Sequence, residues 1–411
     1  MSTEAGANIE VRAARTDEMK DLNRLTGYAF ANNELPKEQP DPDPLQPEQT
    51  LCAFAGERMV ATSGAFDFKM RFNGQTVSAD GVTMVSCDPG YRRRGIVRRL
   101  IDGLLQRSKE RSVPISILWA SMGAIYQRFG YGLACSWVTY EIPTRYIEFQ
   151  FGERPPGYVR LLTPDDALPL LNGLYREYAN PATGMLHRGG FYWALMLRRT
   201  GDQHTHIAVY YDEADQPRGY CLYRTRSQPQ LWPETNQVID VFDFIWLDIE
   251  AYRGLWSYLG GHDLAERVRM DFVAEDDPAP GMLLEPRMLR RRTFDGVWMR
   301  IVDVAQALGA RGYDLAGEAT IEIVDDDLCA WNNGTYRVQA SGDTSSVERV
   351  AGAISADIVT SPGAFASLVS GYSRPSDLAR MGRLGLGDQR RAAELDSLFS
   401  SRRRPHCPNM F

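Results

Sequence analysis

Lysine is nearly missing from this chain: Lys20, Lys37, Lys69 and Lys109 are the only four among 46 basic residues, so arginine is the default cation. Arginine clusters therefore arise readily by chance, and three in a row carry little weight alone. Cysteine is sparse and scattered. Its six copies (Cys52, Cys87, Cys135, Cys221, Cys329 and Cys407) form no C-x-x-C pair, which excludes a disulfide framework and a zinc knuckle and leaves buried thiols. No apolar stretch approaches the roughly 18 residues needed to span a bilayer. No basic start followed by an apolar run opens the chain, so the cytoplasm is the expected compartment, with export by other routes left open. Excess positive charge is lacking too. A net charge of −7 disfavours a nucleic-acid binder and mildly favours cationic small partners. Neither a G-x-S-x-G elbow nor an H-E-x-x-H pair occurs. His204 and His206 alternate onto one strand face without a third ligand nearby, so no metal is expected. Asp325 to Asp327 suit a hairpin turn better than a calcium loop.

With 411 residues and 44% hydrophobic content, two or three domains are expected. Residues 9–13 read as a strand, and Thr16 is placed to cap a following helix whose first turn carries Asp17 and Glu18. A proline-rich loop over 36–50, holding Asp41, Asp43 and Glu48, precedes alternating runs that read as an antiparallel meander. Within it, Phe72-Asn73-Gly74-Gln75 signals a tight hairpin, because Asn-Gly accepts positive φ. Ile96, Val97, Leu100, Ile101, Leu104 and Leu105 then recur at helical spacing until Pro114, and residues 115–120 form a buried strand. Near residue 150 the pattern restarts: Val159-Arg160, Asp165 and Leu170 echo Val11-Arg12, Asp17 and Leu22 at an offset of 148. Tyr252-Arg253 stands where Tyr91-Arg92 did, without the arginine triplet. From about 296 the pattern changes again, to an amphipathic helix and a hairpin of a third, α+β unit.

The stretch "VSCDPGYRRRGIVRRLI" (85–101) ends a strand and opens a helix. Such a turn offers unpaired backbone N–H groups, a positive helix end and arginine side chains, all suited to a pyrophosphate. Two readings fit it alone: a solvated basic helix start, or a phosphate cradle.

Arg92-x-x-Gly95-x-Val97 resembles the acetyl-CoA signature (Q/R)-x-x-G-x-(G/A) of the GCN5-related N-acetyltransferase superfamily, departing from it at Val97. "ASMGAIYQRFGYG" (120–132), the degenerate second copy, a third unit like a sterol carrier protein and the final Phe411 together resemble the Eis (enhanced intracellular survival) acetyltransferases, over essentially the whole chain. The resemblance implies an α+β (mixed α/β) fold: a catalytic acetyltransferase domain over 1–148, a degenerate copy over 149–295, and a sterol-carrier-like domain over 296–411. It implies a bulged strand that splays from its neighbour, so that Val85, Ser86 and Cys87 present backbone groups to pantetheine. Arg93, Arg94, Gly95, Ile96, Val97 and Arg98 are then expected to wrap the pyrophosphate, and Ser121 and Met122 to lie by the acyl end. Arg99 is expected to face solvent.

The resemblance also implies roles for two residues. Tyr126 is the general acid toward the coenzyme A sulfur, and the α-carboxylate of Phe411 is the general base. A terminal carboxylate, with a usual pKa near about 3.5, is ionised at neutral pH. Met410 and Phe411 supply apolar side chains to dock the tail. The expected reaction is acetylation of primary amines on cationic small molecules: aminoglycosides, other polyamine-like antibiotics or polyamines. Two alternatives stand beside it, a protein lysine acetyltransferase and a hydrophobe-binding carrier with a vestigial coenzyme A site. A homohexamer is implied by the resemblance alone.

Overall fold

A computed structural model describes residues 9–31, 45–150, 155–197, 205–227, 237–342, 344–352 and 354–411. The first sheet is built from β1 (Ile9–Arg12), β2 (Cys52–Ala55), β3 (Arg58–Phe72), β4 (Gln75–Cys87), β5 (Ile115–Trp119) and the short β6 (Gly132–Leu133). Helices α1 (Met19–Ala29), α2 (Ile96–Glu110) and α3 (Gly123–Gln127) connect them. The β3–β4 hairpin turns where Asn-Gly predicts it, with φ of 51° at Asn73 and 89° at Gly74. At the first helix the expectation fails in detail. Thr16 does not cap it; the Glu18 carboxylate accepts from the Arg15 N–H at 2.8 Å and holds both arms of Arg12. A carboxylate fixed by a guanidinium is a stronger acceptor than a free hydroxyl.

The second sheet repeats this order with β8 (Tyr158–Leu162), β9 (His206–Tyr211), β10 (Pro217–Ser227), β11 (Gln237–Trp246) and β12 (Ala265–Val273). Its helices are α4 (Pro164–Ala179), α5 (Gly190–Leu197), α6 (Ile249–Gly260) and the single turn α7 (Ala279–Met282). Two strands cross the positions 148 and 295. β7 (Ser136–Pro143) leaves the first unit to pair between β12 and β13 (Arg290–Asp295) in the second sheet. In return β14 (Val297–Ile301) sits between β5 and β6 in the first. Residues 297–301 are thus a strand, where the sequence suggested the start of a helix; the helix α8 (Val304–Ala310) begins after it, capped by Asp303.

The third sheet has the order β17-β16-β15-β18-β19: β15 (Gly317–Ile323), β16 (Gly334–Ser341), β17 (Thr344–Val350), β18 (Ile358–Thr360) and β19 (Leu384–Leu386). Asp325–Asp327 lie in the β15–β16 connection, where buried Asp326 holds Arg300 of β14. Helices α9 (Pro362–Val369), α10 (Pro375–Arg380) and α11 (Ala392–Leu398) complete the unit. All eight residues of α9 are buried, as expected of a helix apolar on every side. It joins the first and third sheets in one core, in which Met70, Ile117 and Met299 share neighbours with Ile321, Val338 and Phe365. All six cysteines are buried free thiols. Among the described residues no helix is long and apolar enough to cross a membrane.

Candidate active site

Strand β4 determines the site. It pairs in parallel with β5 only over Ala79–Gly81, and beyond that point the two strands part. Against β3 its register shifts between Thr62 and Gly64, a bulge at Met84–Val85, with Met84 at a φ of 52°. A bulge turns a strand and leaves ladder groups free. The wedge opened there is a cavity of about 640 Å³. Val85, Ser86 and Cys87 line one side, Ser121, Met122 and Tyr126 another, and Arg93, Gly95, Ile96, Val97 and Arg98 close the end.

Gly95 precedes α2 with a φ of 75° and no side-chain cap, so the first N–H groups of this fifteen-residue helix lack intrahelical partners. A Cβ at Gly95 would meet nothing within 4 Å; it would project into the space an anion needs. The donors, the positive helix end and the open cradle fit a pyrophosphate. Arg94, expected in the cradle, is not among the residues that line the cavity; its guanidinium lies 5.1 Å above the Tyr91 ring. Left-handed Arg93, at a φ of 63°, turns the chain so that successive side chains diverge. Arg99 is exposed and donates to the Ile9 carbonyl at 3.0 Å. Arg92, the first residue of the signature, also lines this cavity, as does Arg128, which sequence reasoning missed.

Tyr126, on α3, is 5% exposed, and burial pushes its hydroxyl up to about 12. It is a protonated phenol throughout the working range. Its ring meets Tyr131 edge-on at 5.9 Å. Burial raises the Cys87 thiol as well, which keeps it protonated and a poor nucleophile.

Phe411 lies in a second cavity of about 830 Å³, on the other side of the β4 bulge from the first. Thr83 and Met84 line it while Val85 to Cys87 line the first. Its remaining walls come from β3 (Phe66, Asp67, Phe68, Lys69) and from residues 186–192 of the second unit. That segment is held to β3 by backbone bonds, Arg71 N to Met185 O and His187 N to Lys69 O, both 2.8 Å. The Phe411 ring packs edge-on against Phe68 at 4.9 Å, over Gly81. Any larger residue at 81 would collide, since a Cβ there would come 2.2 Å from Phe68 and 3.0 Å from Phe411.

The tail docks only partly as expected. Phe411 packs on Phe68, whereas Met410 is 55% exposed, and the polar or compact His406, Cys407 and Asn409 are buried beside it. The Asn409 carbonyl accepts from Trp119 Nε1 at 2.9 Å, and its side chain from the Tyr175 hydroxyl at 3.0 Å. The sequence reading expected a docked tail from Met410 and Phe411 but missed His406, Cys407 and Asn409; Pro405 and Pro408, which restrict the backbone around them, are the signal that could have marked them. Asp41, Asp43 and His204 lie outside the described residues; Glu48 is in the short turn Pro47–Gln49, and His206 stacks on Tyr223.

Comparison with known proteins agrees with this geometry. Models of the acetyltransferase (GNAT) domain match residues 10–134 and again 184–301, and a sterol carrier protein domain matches 304–408. An N-acetyltransferase of Streptomyces coelicolor is 30% identical over 366 residues, 86% of either chain. The N-acetyltransferase Eis of Mycobacterium tuberculosis is 28% identical over 362 residues, 84% of either chain. The crystal structure of Eis1 from Mycobacterium abscessus has a TM-score of 0.83 at 25% identity, covering 98% of this chain and 100% of that one. The splayed strand, the helix start behind it and the three-unit order therefore have one source: the chain belongs to the Eis-like N-acetyltransferases of the GNAT family, enzymes that use acetyl-CoA.

Proposed function

We propose that the protein acetylates the primary amine of a cationic small molecule, with acetyl-CoA in the arginine-turn cavity and the amine in the cavity at Phe411. The observation that carries this is the β4 bulge, which separates the two cavities at a single residue step between Met84 and Val85. An acyl group presented along Val85–Cys87 then comes within reach of an amine entering from the other side. In this reading the Phe411 carboxylate accepts the amine's proton as the new C–N bond forms. The tetrahedral intermediate collapses with cleavage of the C–S bond, and the Tyr126 hydroxyl is hydrogen-bond donor and proton source for the departing sulfur.

The second cavity favours one ammonium group on an apolar body. Phe66, Phe68, Met84, Phe191 and Tyr192 supply aromatic and thioether surface, while the Asp67 carboxylate is already held by Arg111. On its rim, burial lowers the His187 pKa, helped by the charges of Arg71, Arg176 and Lys69. That positive field opposes a second ammonium. The test is thiol release from acetyl-CoA across an arylalkylamine, spermidine, an aminoglycoside and a lysine peptide. Wild type is compared with a chain extended by one glycine past Phe411. Turnover of small amines that the extension abolishes, with acetyl-CoA binding retained, supports the reading. An equally active extended chain removes Phe411 as base, and preference for the peptide makes the lysine acetyltransferase the better description.

A further inference from the structure

The second domain repeats the wedge of the first. β11 and β12 are parallel and pair only from Gln237–Val241 against Ala265–Met270, then part. β11 carries a bulge at Phe242, where its register against β10 shifts, as β4 does at Met84–Val85. The helix that follows is closed, however. Asp248 caps α6 with its own carboxylate, accepting from the Ala251 N–H at 2.8 Å, so the helix start presents negative charge where α2 presents open donors.

This wedge is filled. Between Phe242–Trp246 and Met270–Ala274 lie His406 and Pro408 of the chain's own C-terminus, and only about 30 Å³ of space remains. The His406 N–H donates to Thr183 O at 2.9 Å, and its buried imidazole lines the wedge with Phe272. Gly184, at a φ of 94°, makes room for this strand-like passage: a Cβ there would come 2.8 Å from the His406 carbonyl. Past the wedge, Asn409 is gripped by Trp119 at the end of β5 and by Tyr175 of α4, and Phe411 follows two residues later.

We infer that the second domain's wedge, the counterpart of the coenzyme A slot, is a receptor for the chain's own C-terminus, and that His406 is the positioning residue that sets the place of the Phe411 carboxylate. The wedge supplies a pocket for the tail's side chains, while its backbone is fixed alongside by Thr183 O at His406 and by Trp119 at Asn409. The degenerate copy thus supplies alignment to a reaction that takes place in the other copy. The inference rests on Phe411 being the base.

The test uses the full chain. His406→Ala is expected to lower kcat about 10- to 100-fold with the acetyl-CoA KM unchanged, because a misplaced catalytic group costs rate rather than donor binding. His406→Gln, which keeps a polar side chain of similar reach in the wedge, is expected to recover most of the loss. Unchanged kcat in a folded His406→Ala protein, or a rise of the acetyl-CoA KM in step with the loss, overturns the inference. Hydrogen exchange on wild type needs no variant: the His406 amide, bonded to Thr183 O, should be protected along with β11 and β12, and exchange at free-terminus rates overturns the inference. If the glycine-extended chain stays active while the His406 amide is protected, the base assignment fails and the wedge remains a tail receptor without a catalytic purpose, which also overturns the positioning role.

Discussion

Replacing Tyr126 with phenylalanine removes one oxygen from the wall of the donor cavity. Positioned proton transfer contributes roughly 10²- to 10⁴-fold in rate. The structure selects the lower end. Burial pushes Tyr126 up to about 12, whereas an ordinary thiol titrates near about 8.5. Complete transfer of the phenol proton to the leaving thiolate is therefore uphill by roughly 3.5 pH units, and most of the benefit comes from hydrogen bonding to sulfur as charge develops. We expect kcat to fall about 100-fold, equivalent to about 2.7 kcal/mol at 1.36 kcal/mol per decade. The ring keeps its edge-on contact with Tyr131, so the unfolding midpoint should move little. The same high pKa makes a second statement. Wild-type kcat should not decline between about pH 8 and pH 10, because the acid remains protonated there. The assay is thiol release at saturating amine, with kcat and the acetyl-CoA KM measured for both proteins. A Tyr126→Phe enzyme retaining more than half of kcat, or a wild-type kcat lost with an apparent pKa near about 9, would refute the assignment.

Arg93→Ala should raise the acetyl-CoA KM about tenfold, the worth of one charge-assisted contact, and the effect should shrink in high salt. Arg94→Ala should leave that KM within about twofold, because its guanidinium lies over the Tyr91 ring and is not among the groups lining the cavity. Gly81→Ala should displace the Phe68 and Phe411 rings and cost about tenfold in kcat, since a 1 Å misplacement can cost up to about 100-fold; an unaltered kcat would show that the ring's seat does not matter. The buried His406 imidazole, near Asp243, Asp276 and Arg188, has its pKa lowered from 6.5 to about 4. A lowered histidine pKa means the docked state holds the neutral form. Its contribution is therefore complete above 6.5 and is lost as pH falls toward 4. Hydrogen exchange of the backbone amide at position 406 should accelerate on going from pH 7 to pH 5, after correction for intrinsic rates, and not in His406→Gln.

The duplicated order of strands and helices was legible because amphipathic periodicity is a local property. So were the Asn73-Gly74 turn and the reach of α2, each set by residues within a few positions of one another. The reciprocal strand exchange was not. Val297–Ile301 is a short apolar run, and periodicity cannot tell a buried strand from a buried helix over five residues. Its partners, β5 and β6, lie more than 150 residues away in sequence. The cradle was visible as a motif, but which arginines line it depends on the backbone at Arg93, and Arg94 lies over the ring of Tyr91, three residues before it. The tail shows the same limit. Met410 and Phe411 looked like anchors by hydrophobicity; Phe411 does pack on Phe68, but Met410 is exposed, and Asn409 and His406 join in holding the tail through partners on β5, α4 and the segment after it that only the fold brings together. The arginine excess also acquires a structural use. Arg311 is buried and donates to the carbonyls of Val369, Gly312 and Phe399, three directions that a lysine's single ammonium on a flexible stem would not fix.

The strand exchange makes one last prediction about what the smallest active unit is. Residues 1–148 contain the entire donor cavity, so on motif grounds they should suffice to bind acetyl-CoA. They lack β14. Without it β5 becomes an edge, and Ile115 and Ile117 on one face and Leu118 on the other, all now buried, lose the neighbours that β14 supplies. An unprotected, flat, apolar edge is an aggregation site. The apolar side chains of β14, Val297, Trp298, Met299 and Ile301, are all buried, and each is worth about 1.5–3 kcal/mol. Four of them total roughly 6–12 kcal/mol, comparable to the about 5–15 kcal/mol that stabilises a typical domain. A 1–148 fragment should therefore be aggregated or unfolded, while the full chain is a cooperative unit. Gel filtration and calorimetry on both decide the point. A monomeric fragment that melts cooperatively and binds acetyl-CoA would show that β14 is ornament to a self-sufficient domain; its failure to fold would mean that the catalytic unit is the whole chain, closed at one end by an exchanged strand and at the other by the tail that carries Phe411.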